Sequence, residues 1–390
     1  MPLIYFGGII GHEMIRPAYF DNGATTAVAK EVLDVMMPFF TGEYGNPSSI
    51  HTMGTAASKA VSEARKKIAA AVNCRPSEII FTSGGTESDN TALIGAVADT
   101  GKKKIITSAV EHSAVLEACR SLSARGYEIV ILPVDGEGKV SADELLKAID
   151  NDTALVSVMT ANNVIGTIQP IRELAEIARE HGALFHTDAV QAFTRTDIDA
   201  ERDLIDLMSM SSHKIHGPKG VGALYVRNGV RISPLILGGG QESGLRSSTE
   251  NVPGIAGMGK AAELAMSSMT DDVKRMTEMR DRIIDEVLSL KGSYLNGPRE
   301  KRSCNNAHFG FEGVKGKDLV LALSRMNVMV STASACSAGS TEPSHVLTAI
   351  GRSPSEAFSS LRITLSRYTT DDEVGILLDS LPKALKAVRE

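Results

Sequence analysis

Three reactive side chains in this 390-residue sequence sit in settings that suit them to chemistry. Lys214 lies in Ser211-Ser212-His213-Lys214-Ile215-His216-Gly217-Pro218-Lys219-Gly220, directly after an apolar run. A lysyl amine, with a reference pKa of about 10.4, attacks an aldehyde only when its surroundings help it lose a proton. Asp188 follows another apolar run, in His186-Thr187-Asp188-Ala189-Val190-Gln191. Alone it reads equally well as a cap or a local ion pair. Cys336 is flanked by Ser334, Ala335, Ser337, Ala338 and Gly339, small and largely polar neighbours that suit an exposed loop carrying a nucleophilic thiolate. The alternative for any cysteine, a buried structural role, fits Cys119 better, because it shares a helical face with Val115 and Leu116.

Other polar groups fall at the ends of further apolar runs. In Ser83-Gly84-Gly85-Thr86-Glu87 two glycines permit a tight turn, Thr86 is placed to cap the next helix, and free amides at a helix start bind phosphate. The stretch matches neither GxGxxG nor GxxxxGK[ST], and a plain turn with a cap remains an equal reading. Glu111-His112 and Asn162-Asn163 are by residue type ordinary structural or turn residues, and their weight comes from position. His213 and His216 have no carboxylate at ligand spacing, so no metal site is expected, and Lys219 reads as a surface or structural residue. Arg362, in 360–365, faces away from its apolar neighbours, which suits a structural ion pair or a fork for a substrate carboxylate. A lysine, a carboxylate and a phosphate cradle are together what pyridoxal phosphate requires. Lys214 then takes the cofactor aldehyde, and Asp188 keeps the ring nitrogen protonated.

These residues need a scaffold that brings strand ends to one rim. Short apolar runs at 79–82, 104–107, 128–132, 154–159, 183–186, 204–210 and 222–226 alternate with helical patterns at 87–98, 113–124, 142–149 and 171–181. That alternation predicts α/β architecture with a mostly parallel sheet covered by helices, and ligands of such sheets bind beyond the carboxyl ends of the strands. After the loop 238–253 a helix at 271–290, strands at 306–310 and 328–330, and helices at 317–325 and 371–388 predict a smaller α+β domain. The expected division is 19–265 and 266–390, joined by the N-terminal segment 1–18.

Composition narrows the function. Hydrophobic residues at 43% and charged residues at 23% describe a globular chain and exclude disorder or coiled coil. A balance of 41 Lys+Arg against 47 Asp+Glu offers no general attraction to nucleic acid or anionic lipid. The four cysteines form no CxxC pair, which argues against a disulfide framework or a thiolate zinc site and for a reducing cytoplasm. The apolar stretch 3–10 is broken by Gly7-Gly8 and falls short of the roughly 20 residues of a membrane span, with neither the basic flank nor the cleavage site of a signal peptide. Met14 is an alternative start.

Taken in order, the motifs resemble a known family from Tyr19 almost to the end: YFDNGATT at 19–26, GNPSSIH at 45–51, FTSGGTESDN at 81–90, EH at 111–112, NNVIG at 162–166, HTDAVQ at 186–191, SSHKIHGPKGVGALYVR at 211–227, GGGQESGLRSSTEN at 238–251, SACSAGSTEPSHVL at 334–347 and LRITLSRYTT at 361–370. The chain is similar to cysteine desulfurases of the iron–sulfur-cluster-assembly type, class V aminotransferases of fold-type I. The resemblance implies that Lys214 binds pyridoxal 5'-phosphate, Asp188 contacts its ring nitrogen, Gln191 and Asn163 reach its ring oxygen, and His112 stacks on its ring and moves protons. It assigns the phosphate to Gly85, Thr86, Ser211 and His213, with Thr249 from the neighbouring subunit of a homodimer. Arg362, with Asn163, takes the carboxylate of L-cysteine. Cys336 attacks its sulfur, releasing alanine and leaving a persulfide for an iron–sulfur scaffold or another acceptor. The sequence departs from the family pattern at Val164 (usually Glu), Ser212 (Gly), His216 (Tyr) and Ser248 (Gly). A selenocysteine lyase or aminotransferase on the same scaffold, or a non-catalytic sulfur carrier, are the competing readings.

Overall fold

The computed structural model describes residues 17–332 and 342–389. The strands among these residues are β1 (Ala18–Tyr19), β2 (Ile79–Thr82), β3 (Lys104–Ser108), β4 (Glu128–Leu132), β5 (Thr153–Ser157), β6 (Leu184–Asp188), β7 (Leu207–Ser211), β8 (Gly222–Val226), β9 (Ser293–Leu295), β10 (Asn306–Phe311), β11 (Val328–Met329) and β12 (Ser360–Thr364). A seven-stranded sheet has the order β2-β8-β7-β6-β5-β3-β4. Its neighbours are parallel except where β8 runs against β2 and β7. β2, β5, β7 and β8 are buried at every position, so they carry mostly apolar or small residues on both faces.

The expected strand at 204–210 begins later, at Leu207, because Leu204 turns the chain with φ 57°. The run at 154–159 parts from β3 after Ser157, where the Met159 amide donates to the Glu111 carboxylate, while Val158 and Thr160 still donate to His186 and Asp188 of β6. The helix Thr52–Ala71 was not anticipated. Its buried face, Gly54, Ala57, Val61, Ala64 and Ile68, keeps the spacing of three and four, but small residues carry it. Those residues allow a close approach to the helix Val252–Ser267, where a Cβ on Gly259 would meet the Ala64 Cα at 2.6 Å.

Two cores flank the large sheet, one including Phe81, Phe185 and Met210, the other Leu93, Ile105 and Leu224. A further core joins Ala18 and Phe20 to residues between Met276 and Leu385. It covers the antiparallel sheet β12-β10-β9, in which Arg362 opposes His308. The N-terminal strand β1 pairs with β11 of this second region, so residues near 20 and near 362 meet.

Candidate functional site

The turn after β2 opens the helix Gly85–Thr100. Gly84 occupies the cap position with φ 154° and ψ −179°, a conformation open essentially to glycine alone. Thr86 is the second residue of the helix and does not cap it, contrary to expectation, because the helix starts two residues earlier and its cap is Gly84, which has no side chain. Glu87 closes the turn by accepting from the Ser83 amide at 2.9 Å. Gly85 packs against Val190, whose Cγ2 would lie 2.7 Å from an added Cβ. The first amides of this helix lack intrahelical partners and face the cleft, a suitable setting for an anion.

Along the same rim, His112 caps the helix Ser113–Ser123, with Nδ1 accepting from the Ala114 amide at 3.2 Å. Asn162 takes the turn role of the Asn-Asn pair, its Oδ1 accepting from the Val164 and Ile165 amides at 2.9 Å each. Asn163 lines the cleft. Asp188 closes β6 and accepts from the Val190 amide at 2.9 Å. β7 ends in Ser211 and a short 3-10 turn that carries His213 and Lys214.

The N-terminal segment completes this wall. Lys214 Nζ donates to the carbonyls of Gly23 and Ala24 at 2.6 and 2.8 Å, and Gln191 Nε2 donates to Gly23 at 2.9 Å. Thr25 and Thr26 hold the turn, the former bonding to His213 Nδ1 at 3.1 Å and the latter donating to the His213 carbonyl at 2.9 Å. Behind the turn, buried Arg195 donates to the backbone carbonyls of Gln191 and Lys214.

Lys214, Asp188, Gln191, Asn163, His112, Gly85, Thr86, Ser211, His213 and Arg362 all line one cavity of about 320 Å³. Thr249 does not; it is exposed, on the loop after Ser247. Cys336 lies outside the described residues. Sequence reasoning assigned no role to several groups at the site: Gly23, Ala24, Asp89, Ser344 and His345 line the cavity, and Arg195 supports it from behind. Nothing in the spacing of Asp89 or Arg195 sets them apart from ordinary helix and loop residues.

Burial and local charge sort the titratable groups. Asp89, Glu111 and Asp188 are three buried carboxyls at the cleft. Glu111 is pushed up to about 8 by burial, with Asp188 adding, although Ser108 and the Met159 amide donate to it. Burial raises Asp89 well above the carboxylate range, and Asp188 and Glu111 raise it further. Burial raises Asp188 too, and the charges of His112 and Lys214 partly offset that rise. His213 is driven down to about 4 by burial and by Lys214 and Lys219, and is a neutral hydrogen-bonding group near pH 7.

Comparison with known proteins places this geometry. The aminotransferase class-V model matches residues 18–377. A cysteine desulfurase IscS from Dictyoglomus turgidum is 50% identical over 379 residues, covering 96% of each chain. This chain belongs to the cysteine desulfurase family. Among solved structures, a NifS-like protein superposes with a TM-score of 0.90 at 40% identity, covering 95% of this chain and 100% of its own. A second, SspA in complex with cysteine, gives 0.80 at 39% identity, covering 90% and 99%.

Enzymes of this family depend on pyridoxal phosphate. The cleft suits it, because an amine, a carboxylate and a glycine turn at a helix start converge on one cavity. Val164, one of the departures, lines that cavity and packs with Val346 and Leu347. Ser212 is fully buried with an unpartnered hydroxyl. His216 is buried with φ 65° and stacks edge-on against Tyr368.

Proposed function

We propose that this protein is a pyridoxal-phosphate-dependent L-cysteine desulfurase. The observation that carries the reading is the convergence of Lys214, Asp188 and Arg362 on one cavity, with the chain that bears Cys336 leaving and returning beside it. Ser331 exchanges backbone bonds of 2.7 and 3.2 Å with Arg362, and Ser344 and His345 line the cavity.

Bound there, the cofactor supplies an electron sink for the bonds around the substrate α-carbon. Lys214 would hold its aldehyde, and Asp188 would keep its ring nitrogen protonated. Gln191 and Asn163 hold the ring oxygen, and His112 serves the ring and moves protons. Gly85, Thr86, Ser211 and neutral His213 hold the phosphate, joined by Thr249 of a second copy of the chain. Exposed Leu235, Ile236 and Leu237, just before the Thr249 loop, support that homodimer. Arg362 forks the substrate carboxylate, with Asn163 beside it.

Cys336 takes the substrate sulfur, so that L-cysteine and the Cys336 thiol become L-alanine and a Cys336 persulfide. The other cysteines are poor candidates, since burial pushes Cys74 and Cys119 up to about 12 and Cys304 to about 11. The persulfide passes to an acceptor protein for iron–sulfur cluster assembly or transfer-RNA thiolation, in a reducing cytoplasm. Among the described residues no helix is long and apolar enough to cross a membrane. We also propose 19–265 and 266–390 as the two domains, supported by the separate core around Met276–Leu385 and the break between helices at Ser268.

Brief exposure of the purified protein to L-cysteine, followed by peptide mass spectrometry, tests the reading. One added sulfur on the Cys336 peptide, with equimolar alanine, is expected. Persulfide delivery by a Cys336→Ala protein, or keto-acid-dependent amino transfer without sulfur release, overturns it.

A further inference from the structure

Arg362 is already partnered by a carboxylate of its own chain. Its Nη2 donates to Asp21 Oδ1 at 2.9 Å, its Nη1 to the Asn163 carbonyl at 2.9 Å, and its buried Nε has no hydrogen-bond partner. The guanidinium side chain is only 3% exposed, and a charge so buried demands a counter-charge. The neighbouring groups do not supply one. His308, its register partner, is held well below its ordinary range by burial and by Arg362, Arg302 and Arg352, and is neutral. Burial and Asp21 raise the Tyr19 phenol, so it too stays neutral. Asp21 is therefore the group that compensates Arg362 among the described residues.

The same turn reaches across the site. The Asp21 carbonyl accepts from the Ala24 amide at 3.0 Å, and the carbonyls of Gly23 and Ala24 accept from Lys214. An amino-acid substrate brings a second carboxylate to the guanidinium that Asp21 neutralises. Two anions sharing one cation oppose each other, a negative coupling between them.

We propose that Asp21 is a placeholder carboxylate: it neutralises Arg362 until the substrate α-carboxylate takes over, and so weakens and sets the affinity of the site for amino acids. This rests on Arg362 being the carboxylate fork of the proposed desulfurase. It makes Asp21 a positioning residue that acts through Arg362.

The test uses the holoenzyme and two readouts, the KM for L-cysteine and the rise in melting temperature caused by propionate. Asp21→Asn should lower KM roughly 10-fold, with a smaller change in kcat, and should enlarge the propionate shift. An unchanged or higher KM with no larger propionate shift overturns the proposal. If that variant folds poorly, Asp21→Ser, which also removes the carboxylate, must still lower KM; an unchanged or higher value overturns the proposal equally. Arg362→Gln separates the two failures. Loss of the propionate shift and a raised KM keep the fork while Asp21 is judged, whereas an unaltered KM in Arg362→Gln removes the fork itself and the proposal with it.

Discussion

Lys214 and Asp188 sit at the carboxyl ends of adjacent strands β7 and β6 of the large sheet, with the Lys214 amine also tied to the Gly23 and Ala24 carbonyls. Arg362 stands opposite, on β12 of the second core, and is held by Asp21 and by the Asn163 carbonyl from distant parts of the chain. On the proposed function the first region would serve bond-making, where charge must be fixed before the reaction starts. The second would serve recognition, with a cation exchanging one anion for another. The contrast teaches that the two walls should fail differently.

Lys214→Ala tests the first wall most severely. We expect loss of the visible absorbance of the holoenzyme and a fall in turnover of about 10⁴-fold, measured as alanine formed from cysteine. Asp188→Asn should keep the absorbance but lower kcat about 10²- to 10³-fold with KM little changed, by removing the fixed charge under the ring nitrogen. If it instead raises KM alone, the division between the walls breaks. Arg362→Ala should do the reverse, raising KM for cysteine about 100-fold, the cost of losing one side of a charged pair, with a smaller effect on kcat.

Glu111→Gln sharpens the comparison from within the rim, since Glu111 is buried there without a role in bond-making. Its carboxyl is held above the ordinary value near 4.5, at about 8, by burial. Folding therefore favours its proton: the stability is full below the unfolded value and is lost as pH rises through about 8. Glu111→Gln should remove that loss, flattening the decline in melting temperature as pH rises from about 4.5 to about 8. An identical decline in both proteins would place the titrating group elsewhere. The low value of His186, about 3, acts with opposite sign and costs stability only on the acid side.

The rim was legible because each of its groups follows an apolar run that could only be a buried strand. Ser83-Gly84-Gly85-Thr86, Glu111-His112, Asp188 and Lys214 each stand within a few residues of such a run. What escaped is equally specific. Thr86 lost its cap role to Gly84, because turn tightness depends on φ and ψ values that residue type only permits. The helix Thr52–Ala71 was missed because Gly and Ala carry its buried stripe, where packing distance rather than hydrophobicity makes the contact.

Residue order alone determined the reactive set, the α/β alternation and the family motifs, since apolar periodicity and local turn chemistry are properties of neighbouring residues. The partner of Arg362 was decided only when β1 returned to the second core and set Asp21, 341 positions earlier, against it. The upward shifts of Asp89 and Glu111 likewise arise only because burial and the nearby Asp188 carboxyl act on them together. Coulomb interactions and desolvation depend on distance through space, and the chain acquires those distances only by folding.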